Sequence, residues 1–201
     1  MPPSTVSHPD SDLERLPVAF TATDARHVGV PRHRLRALVA SGDLVRTDRG
    51  VYRRADAALG DEDLQTIALR APDATLCLLT ALSHHDLTDQ IPTRIDVALP
   101  RQRRQPALDL PIAWHRFDPE TYDIGRETLP LGGGLSIGLY SPERCLIDAF
   151  RLRHLLGEEV AIEALRRWLR RRGSTPGALL ALARSFPKAE APLRDTLRVL
   201  L

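Results

Sequence analysis

Four side chains that can bind a metal or transfer a proton lie close together in the middle of the chain. They are His84, His85, Asp86 and Asp89. His84 and Asp86 are two residues apart and do not share a helix face, and the rest of the sequence supplies no partner group at metal-ligand spacing. The pattern therefore favours polar contacts at the end of a helix over a catalytic or metal site.

A second group of residues suits phosphate chemistry. Although the formal net charge is only +2, eight arginines stand between residues 26 and 54 against two acids, Asp43 and Asp48. A local patch of one sign attracts phosphates whatever the total charge. Guanidinium groups also form paired hydrogen bonds with guanine. The arginines are Arg26, Arg32, Arg34, Arg36, Arg46, Arg49, Arg53 and Arg54.

The elements that must position these arginines follow a recognisable order. Asp24 to Val28 and Pro31 to Ser41 have helical patterns, with a tight turn at Gly29 between them. Thr21 or Thr23 is suited to cap the first helix. Leu44 to Thr47 and Val51 to Arg54 then form a hairpin. Two helices followed by a basic hairpin predict a winged helix-turn-helix, and hence DNA binding.

The second helix divides into an apolar face and a basic face. Leu35, Leu38 and Val39 have the spacing of core residues, while His33 and Arg36 lie opposite and are predicted to contact bases. In the hairpin, Val45 and Val51 are expected to pack inward. The predicted DNA-binding residues are Thr23, Arg32, His33, Arg34, Arg36, Arg46, Arg49, Arg53 and Arg54.

The whole chain is predicted to be α+β, with the winged helix-turn-helix followed by a mixed α/β domain that ends in several helices. Residues 1–18 are predicted to form a flexible segment with a short helix, and disorder is expected from Met1 to Ser11. Residues 19–60 are predicted to form the DNA-binding domain, and residues 61–201 the second domain. Helical patterns occur at Leu64 to Arg70 and Leu76 to Leu87. Strands are predicted at Arg94 to Leu99, Ile112 to Phe117 and Leu135 to Tyr140.

The C-terminal part is predicted to be helical. Ser141 caps a helix that runs to Leu156, and the next helix buries Val160, Ala164, Leu165 and Trp168. Five arginines in residues 166–172 exceed what compensation of the helix dipole requires, so a second phosphate-binding surface working with the hairpin is favoured. Its predicted secondary phosphate contacts are Arg101, Arg103, Arg104, Arg166, Arg167, Arg170 and Arg171.

The sequence predicts neither a membrane span nor a cofactor. No apolar run reaches the ~18 residues that a span requires, and the N-terminus lacks the pattern of a signal peptide. Cys77 and Cys145 lie in apolar patterns typical of buried thiols in a reducing compartment. A cytoplasmic location is expected, with no metal site and no catalytic residue.

Several segments together resemble the AbiEi-type antitoxins of type IV toxin–antitoxin systems. In the N-terminal part the match runs from Ala25 to Tyr52 and ends in Arg-Gly-Val-Tyr. In the C-terminal part it comprises Ala81 to Pro92, Val97 to Pro100 and Tyr140 to Asp148. The order and spacing of these segments carry the resemblance, which covers nearly everything after Phe20.

The resemblance implies a two-domain transcriptional regulator. Its winged helix would bind inverted repeats in its own promoter and repress the operon, and its C-terminal domain would counteract a nucleotidyltransferase-like toxin without forming a stable complex. Three alternatives stay open: an enzyme, DNA-processing or toxin-modifying, that uses the region His84 to Asp89; a module that binds the toxin directly; and a stand-alone regulator.

Overall fold

The computed structural model describes residues 9–57 and 61–201, in two compact units. The first unit contains the described residues up to Pro72, with Pro106–Leu110 and Pro130–Ile137. The second unit contains Asp73–Gln105, Pro111–Leu129 and Gly138–Leu201. The first unit includes residues on both sides of residue 60; the division into domains at residues 18 and 60 stays a prediction.

The first unit is built from short helices and a three-stranded antiparallel sheet. The strand order is β1-β3-β2. Its elements are α1 (Pro9–Glu14), β1 (Ala19–Thr21), α2 (Ala22–His27), α3 (Arg32–Ala40), β2 (Leu44–Asp48), β3 (Val51–Arg54) and α4 (Glu62–Arg70). The expectation of disorder from Met1 to Ser11 is wrong from Pro9 onward, where α1 begins. Residues 1–8 lie outside the described part of the chain.

Local sequence signals account for α2 and its position before α3. The Thr21 backbone amide donates to the Asp24 carboxylate (2.8 Å), and the Asp24 amide donates to the Thr21 hydroxyl (3.2 Å). This reciprocal capping box satisfies amides that a helix start otherwise leaves unpaired. Gly29, at φ +84°, adopts the left-handed conformation that ends the helix turn. Thr21, one of the two predicted caps, is therefore the one used.

A small apolar core holds these elements together, and it corrects one expectation about the hairpin. Leu35 and Leu38 of α3 are buried, whereas the predicted core residue Val39 is only partly buried. Val51 is buried as expected, but Val45 is 40% exposed. Because successive side chains of a strand point to opposite faces, the burial of Leu44 turns Val45 outward.

A five-stranded mixed sheet has the strand order β6-β5-β4-β8-β7. Strand β4 pairs antiparallel with β5 and parallel with β8, and β5 pairs parallel with β6. The strands are β4 (Thr75–Leu76), β5 (Ile95–Pro100), β6 (Ile112–Phe117), β7 (Arg126–Gly132) and β8 (Leu135–Tyr140). Three of these strands were predicted. The helix predicted from Leu76 was wrong at its start, since Leu76 belongs to β4, and β7 was missed.

The remaining elements are helices. They are α5 (Leu78–His84), α6 (Pro119–Tyr122), α7 (Pro142–Arg151), α8 (Arg153–Leu156), α9 (Glu158–Leu169), α10 (Pro176–Ala183) and α11 (Pro187–Leu200). The chain is therefore mixed α+β, as predicted. In the described part of the chain, none of the helices combines the length and the apolar character that spanning a membrane requires.

The C-terminal helices match the sequence expectations with one correction. The Ser141 hydroxyl caps α7 by accepting from the Arg144 amide (3.3 Å), and Val160, Ala164, Leu165 and Trp168 of α9 are buried. The helix predicted to run unbroken to Leu156 is wrong in one respect. It breaks at Leu152, whose φ of −112° and ψ of 26° are not helical, so that α7 and α8 are separate.

A buried ionic cluster lies on α7. Arg144 and Asp148 are both 0% exposed, and the Arg144 Nε donates to the Asp148 carboxylate (3.0 Å). An Nη of Arg151 lies 2.8 Å from the other Asp148 oxygen. Burial raises the pKa of Asp148, and the two guanidinium groups oppose that shift. Each charge in this cluster thus depends on the others for compensation.

Backbone and aromatic groups complete the surroundings of Arg144. Its Nη1 donates to the carbonyls of Thr121 and Ile124, each at 2.6 Å. Its guanidinium carbon lies 4.2 Å from the centroid of the Tyr140 ring and 4.3 Å from that of Phe186. Groups from several elements of the second unit therefore surround Arg144, which makes the cluster a central packing element there.

Candidate nucleic-acid interface

The first unit contains a cleft of about 690 Å³ toward which five arginines converge. In the part of the chain that the structure describes, its lining contains no aspartate or glutamate. All five arginine residues are classed as exposed. We call this feature the arginine cleft. Its five arginines are Arg32, Arg36, Arg46, Arg49 and Arg70.

Three elements supply the arginines of the cleft. Helix α3 contributes Arg32 and Arg36, which are four residues apart and therefore lie on one helix face. The hairpin contributes Arg46 from β2 and Arg49 from the turn, where Gly50 at φ +79° permits the tight reversal. Arg70 is the last residue of α4. A helix face, a hairpin and a helix end thus present cations to one concave surface.

Neutral groups fill the rest of the cleft. Thr21, Ala22 and Thr23 line it near the start of α2. The Tyr52 ring also lines it and stacks on Phe20 in the core, with 5.9 Å between ring centroids. This stacking joins β3 of the hairpin to β1, its neighbour in the sheet. Among the described residues, the lining therefore combines cations with hydroxyl groups and contains no carboxylate, a surface suited to phosphate oxygens.

The predicted DNA-binding residues fall into three groups. Five of them line the arginine cleft: Thr23, Arg32, Arg36, Arg46 and Arg49. His33 is exposed elsewhere on α3. The third group comprises arginines that form ion pairs within the protein: Arg34, Arg53 and Arg54.

The ion pairs of the third group reduce the positive charge that these arginines can present to a ligand. Arg53 is only 8% exposed and lies 2.8 Å from Glu62, although the sequence placed it on the hairpin surface. The Arg34 Nε donates to Asp12 at 2.6 Å. Arg54 donates to Asp56 at 2.6 Å, and this hydrogen bond lowers the pKa of the Asp56 carboxyl. The assignment of these three arginines to DNA contacts stays a prediction, and their charges are already offset.

Sequence reasoning missed Arg70. A basic residue in the last turn of a helix has an ordinary explanation in the helix dipole. Arg70 also lies beyond residue 60, where the first predicted domain ends. Only the fold brings this side chain to the hairpin, so no local signal distinguished it.

The alternative site, His84 to Asp89, forms the end of helix α5. His84, Asp86 and Asp89 are exposed. Asp86 adopts φ +52°, and its amide donates to the Ser83 carbonyl (3.0 Å), as in a helix-terminating turn. Asp89 is paired with Arg167, which lowers its pKa. Within the described ranges, no group of three or more histidine, cysteine or acidic side chains is arranged to hold a metal ion.

His85 gives this region a measurable pH dependence. Its Nε2 lies 2.7 Å from the Tyr140 carbonyl, which can only accept, so this nitrogen carries the proton. Burial lowers the pKa of His85, the hydrogen bond partly opposing it. The unfolded chain then takes up the proton at higher pH than the folded chain, so the free energy of unfolding falls as pH drops below about 6.5.

Urea unfolding between pH 7.5 and 5 tests this expectation. Both tryptophans, Trp114 and Trp168, belong to the second unit, so their fluorescence reports on it. The His85→Gln variant should show a shallower loss of stability than the wild type, while the exposed His84→Gln variant should follow the wild type. Equal pH slopes for wild type and His85→Gln would contradict the expectation.

The predicted secondary phosphate contacts all lie in the second unit. Three of these arginines make contacts within the protein. Arg103 pairs with Asp73 (2.6 Å), and Arg167 pairs with Glu163 (2.8 Å) and with Asp89. Arg171 donates to the His85 carbonyl. Four others are exposed: Arg101, Arg104, Arg166 and Arg170.

Comparisons with known proteins bear on the first unit most directly. Residues 12–55 match the model of a family described as "Transcriptional regulator, AbiEi antitoxin". The matched stretch spans α2, α3 and the hairpin, and thus four of the five arginines of the cleft. The resemblance predicted from the sequence is confirmed over these residues, which are similar to a family of transcriptional regulators and antitoxins.

The fold as a whole has a solved counterpart. The crystal structure of the RV2827C protein from Mycobacterium tuberculosis is similar, with a TM-score of 0.61 and 21% sequence identity. The similarity covers 93% of this chain and 74% of that chain. A comparison with curated proteins finds no match. The structural likeness supports the mixed α+β fold.

Proposed function

We propose that this protein is an antitoxin and transcriptional regulator that binds DNA through its first unit. Helices α2 and α3 act as a helix-turn-helix, and the hairpin β2-β3 acts as its wing. The observation that carries the proposal is the arginine cleft, in which α3, the hairpin and α4 present five cations without a lining carboxylate among the described residues. The family match over residues 12–55 supports the same conclusion.

The family also supplies the wider role. The protein binds inverted repeats in its own promoter, represses the operon and counteracts a nucleotidyltransferase-like toxin without forming a stable complex. In this scheme the protein is a type IV antitoxin in the cytoplasm and not an enzyme. The C-terminal part carries the antitoxin role.

A salt-titrated binding assay tests the DNA-binding half of the proposal. Full-length protein is titrated onto its own upstream DNA and onto scrambled DNA of equal length between 50 and 200 mM salt. Tighter binding to the upstream fragment, weakening linearly in log salt, is expected. Equal and weak binding to both fragments would overturn sequence-specific regulation and leave only electrostatic attraction.

Coexpression tests the antitoxin half. The full chain should rescue the growth of cells that express the toxin encoded beside this protein. A variant with hairpin substitutions that abolish DNA binding should rescue growth as well. Failure of the full chain to rescue would overturn the antitoxin role. Stoichiometric co-purification of the two proteins at low micromolar concentration would contradict neutralisation without a stable complex, and would show that the antitoxin binds the toxin directly.

The second basic surface makes a separate prediction. If Arg101, Arg104, Arg166 and Arg170 contact phosphates, replacing all four with glutamine should flatten the salt dependence of DNA binding and preserve the preference for the upstream fragment. The control is Arg198→Gln, since Arg198 is a 73% exposed arginine of α11. A salt slope equal to that of the control would remove this surface from the DNA-binding model.

A further inference from the structure

Helix α3 presents three distinct faces. Leu35 and Leu38 form the buried face. Arg32, Arg36 and Val39 line the arginine cleft, at the i, i+4, i+7 spacing of a single face. At 100° per residue, a third face lies about 100° from the cleft. It consists of His33, Ala37 and Ala40, and all three are exposed.

The third face is the one that projects farthest from the protein. It lies roughly 160° around the helix from the buried face, by the same helical geometry. Two of its three side chains are methyl groups, so a groove wall can approach the backbone closely. We call it the protruding face. Arg36, by contrast, is directed sideways into the cleft with Arg46 and Arg49.

We propose that the arginine cleft holds the phosphate backbone of one DNA strand while the protruding face alone discriminates sequence. This inference rests on the proposed function and adds two assignments to it. Arg36 becomes a backbone contact, although its position on α3 first indicated base contact. Arg70, from α4 and outside the matched family segment, becomes a member of the same phosphate-binding set.

The chemistry of the two surfaces matches the two tasks. Guanidinium groups from three elements around a concavity can approach one strand from several directions, and phosphate contacts carry no sequence information. On the protruding face, the His33 imidazole can hydrogen-bond a base edge. The methyl groups of Ala37 and Ala40 can contact a thymine methyl.

The helix end that carries Arg70 supports its inclusion. Arg70 is exposed and lines the cleft, while the buried residues Gln65 and Thr66 earlier in α4 contact other parts of the first unit. Gln65 of α4 donates to the Leu131 carbonyl (2.9 Å), and Thr66 donates to the Thr47 hydroxyl of β2 (3.3 Å). The first contact joins α4 to β7 and the second joins it to β2 of the hairpin, so that Arg70 is presented to the ligand by a helix held on two sides.

Four variants of the full chain separate the two surfaces: Arg36→Gln, Arg70→Gln, His33→Ala and the charge control Arg198→Gln. Binding to upstream and scrambled DNA is measured as a function of salt. In each of the two cleft variants, the negative slope of log K against log salt should become shallower by about 0.9, and binding to both DNAs should weaken equally. His33→Ala should leave the slope unchanged and reduce the ratio of the two affinities by about 10-fold.

The outcomes distinguish this inference from the proposed function. A wild type that does not bind or does not discriminate would overturn the proposed function, and the inference with it. A wild type that discriminates, combined with an unchanged slope for Arg70→Gln, would overturn the inference alone. The same holds for a loss of discrimination in Arg36→Gln, since that residue would then contact bases.

Discussion

Replacing Asp148 with alanine should lower the free energy of unfolding of the second unit by about 3–5 kcal/mol. Asp148 is fully buried and lies between the guanidinium groups of Arg144 and Arg151. Its removal leaves two cations without their counterion in a site from which water is excluded. The penalty of an uncompensated buried charge then adds to that of the cavity.

The Asp148→Asn variant separates charge from volume. It keeps the size of the side chain and removes the negative charge, so most of the destabilisation should remain. Urea unfolding monitored by tryptophan fluorescence gives the measurement, because Trp114 and Trp168 both belong to this unit. The control is Asp195→Ala in α11, where an exposed pair with Arg198 spans 3.7 Å.

The control fixes the scale of the comparison. Exposed ion pairs contribute about 0–1 kcal/mol, so Asp195→Ala should lie close to the wild type. Should Asp148→Asn unfold at the same urea concentration as Asp195→Ala, the buried cluster would not be a source of stability.

Local signals in the sequence were sufficient for the N-terminal elements. The capping box at Thr21, the left-handed glycine at position 29 and the basic hairpin after Gly42 each depend on neighbours within a few residues. For that reason α2, α3, β2 and β3 occur close to their predicted positions. The same applies to Ser141 and the start of α7.

Features set by distant contacts were not predictable in the same way. Strand β4 has two residues, and it is a strand only because it pairs with β5 and β8. A run of that length has no periodicity of its own, and the apolar pattern from Leu76 onward resembles a helix. Likewise, the burial of Arg53 depends on Glu62, which the sequence alone does not place beside it.

The ionic cluster shows an intermediate case. Arg144 and Asp148 are four residues apart, a spacing typical of a helix ion pair. The spacing alone does not predict that the pair is buried. Phe117, Tyr140 and Phe186 come from three other parts of the chain, and their rings turn an ordinary surface spacing into a buried site.

For the candidate interface, the sequence predicted which segment contains the arginines, but it did not predict how the fold arranges them. Arginine content and the order of the elements identified the segment that carries the candidate interface. Which arginines pair with carboxylates is a property of the fold, since Arg53 and Arg54 of β3 pair with acids while Arg46 of β2 lines the cleft. This difference between neighbouring strands leads to the second large expected effect.

The double variant Arg46→Gln/Arg49→Gln should bind the upstream DNA about 100-fold more weakly than the wild type in 0.1 M salt. Each lost hydrogen bond from a charged donor costs about 1.5 kcal/mol or more, and 1.4 kcal/mol corresponds to a factor of ten. The negative slope of log K against log salt should become shallower by about 1.8, or 0.9 for each phosphate contact. Both side chains are exposed, so the fold should be retained.

The control for this variant lies in the same hairpin. Arg54 is the last residue of β3, which pairs with β2. Asp56 already offsets the charge of Arg54 by accepting two hydrogen bonds from it, of 3.0 and 2.6 Å. Arg54→Gln should therefore leave both affinity and salt slope close to wild type. If Arg54→Gln weakened binding as much as either cleft arginine does, net charge in the hairpin would determine affinity, and the geometry of the cleft would not.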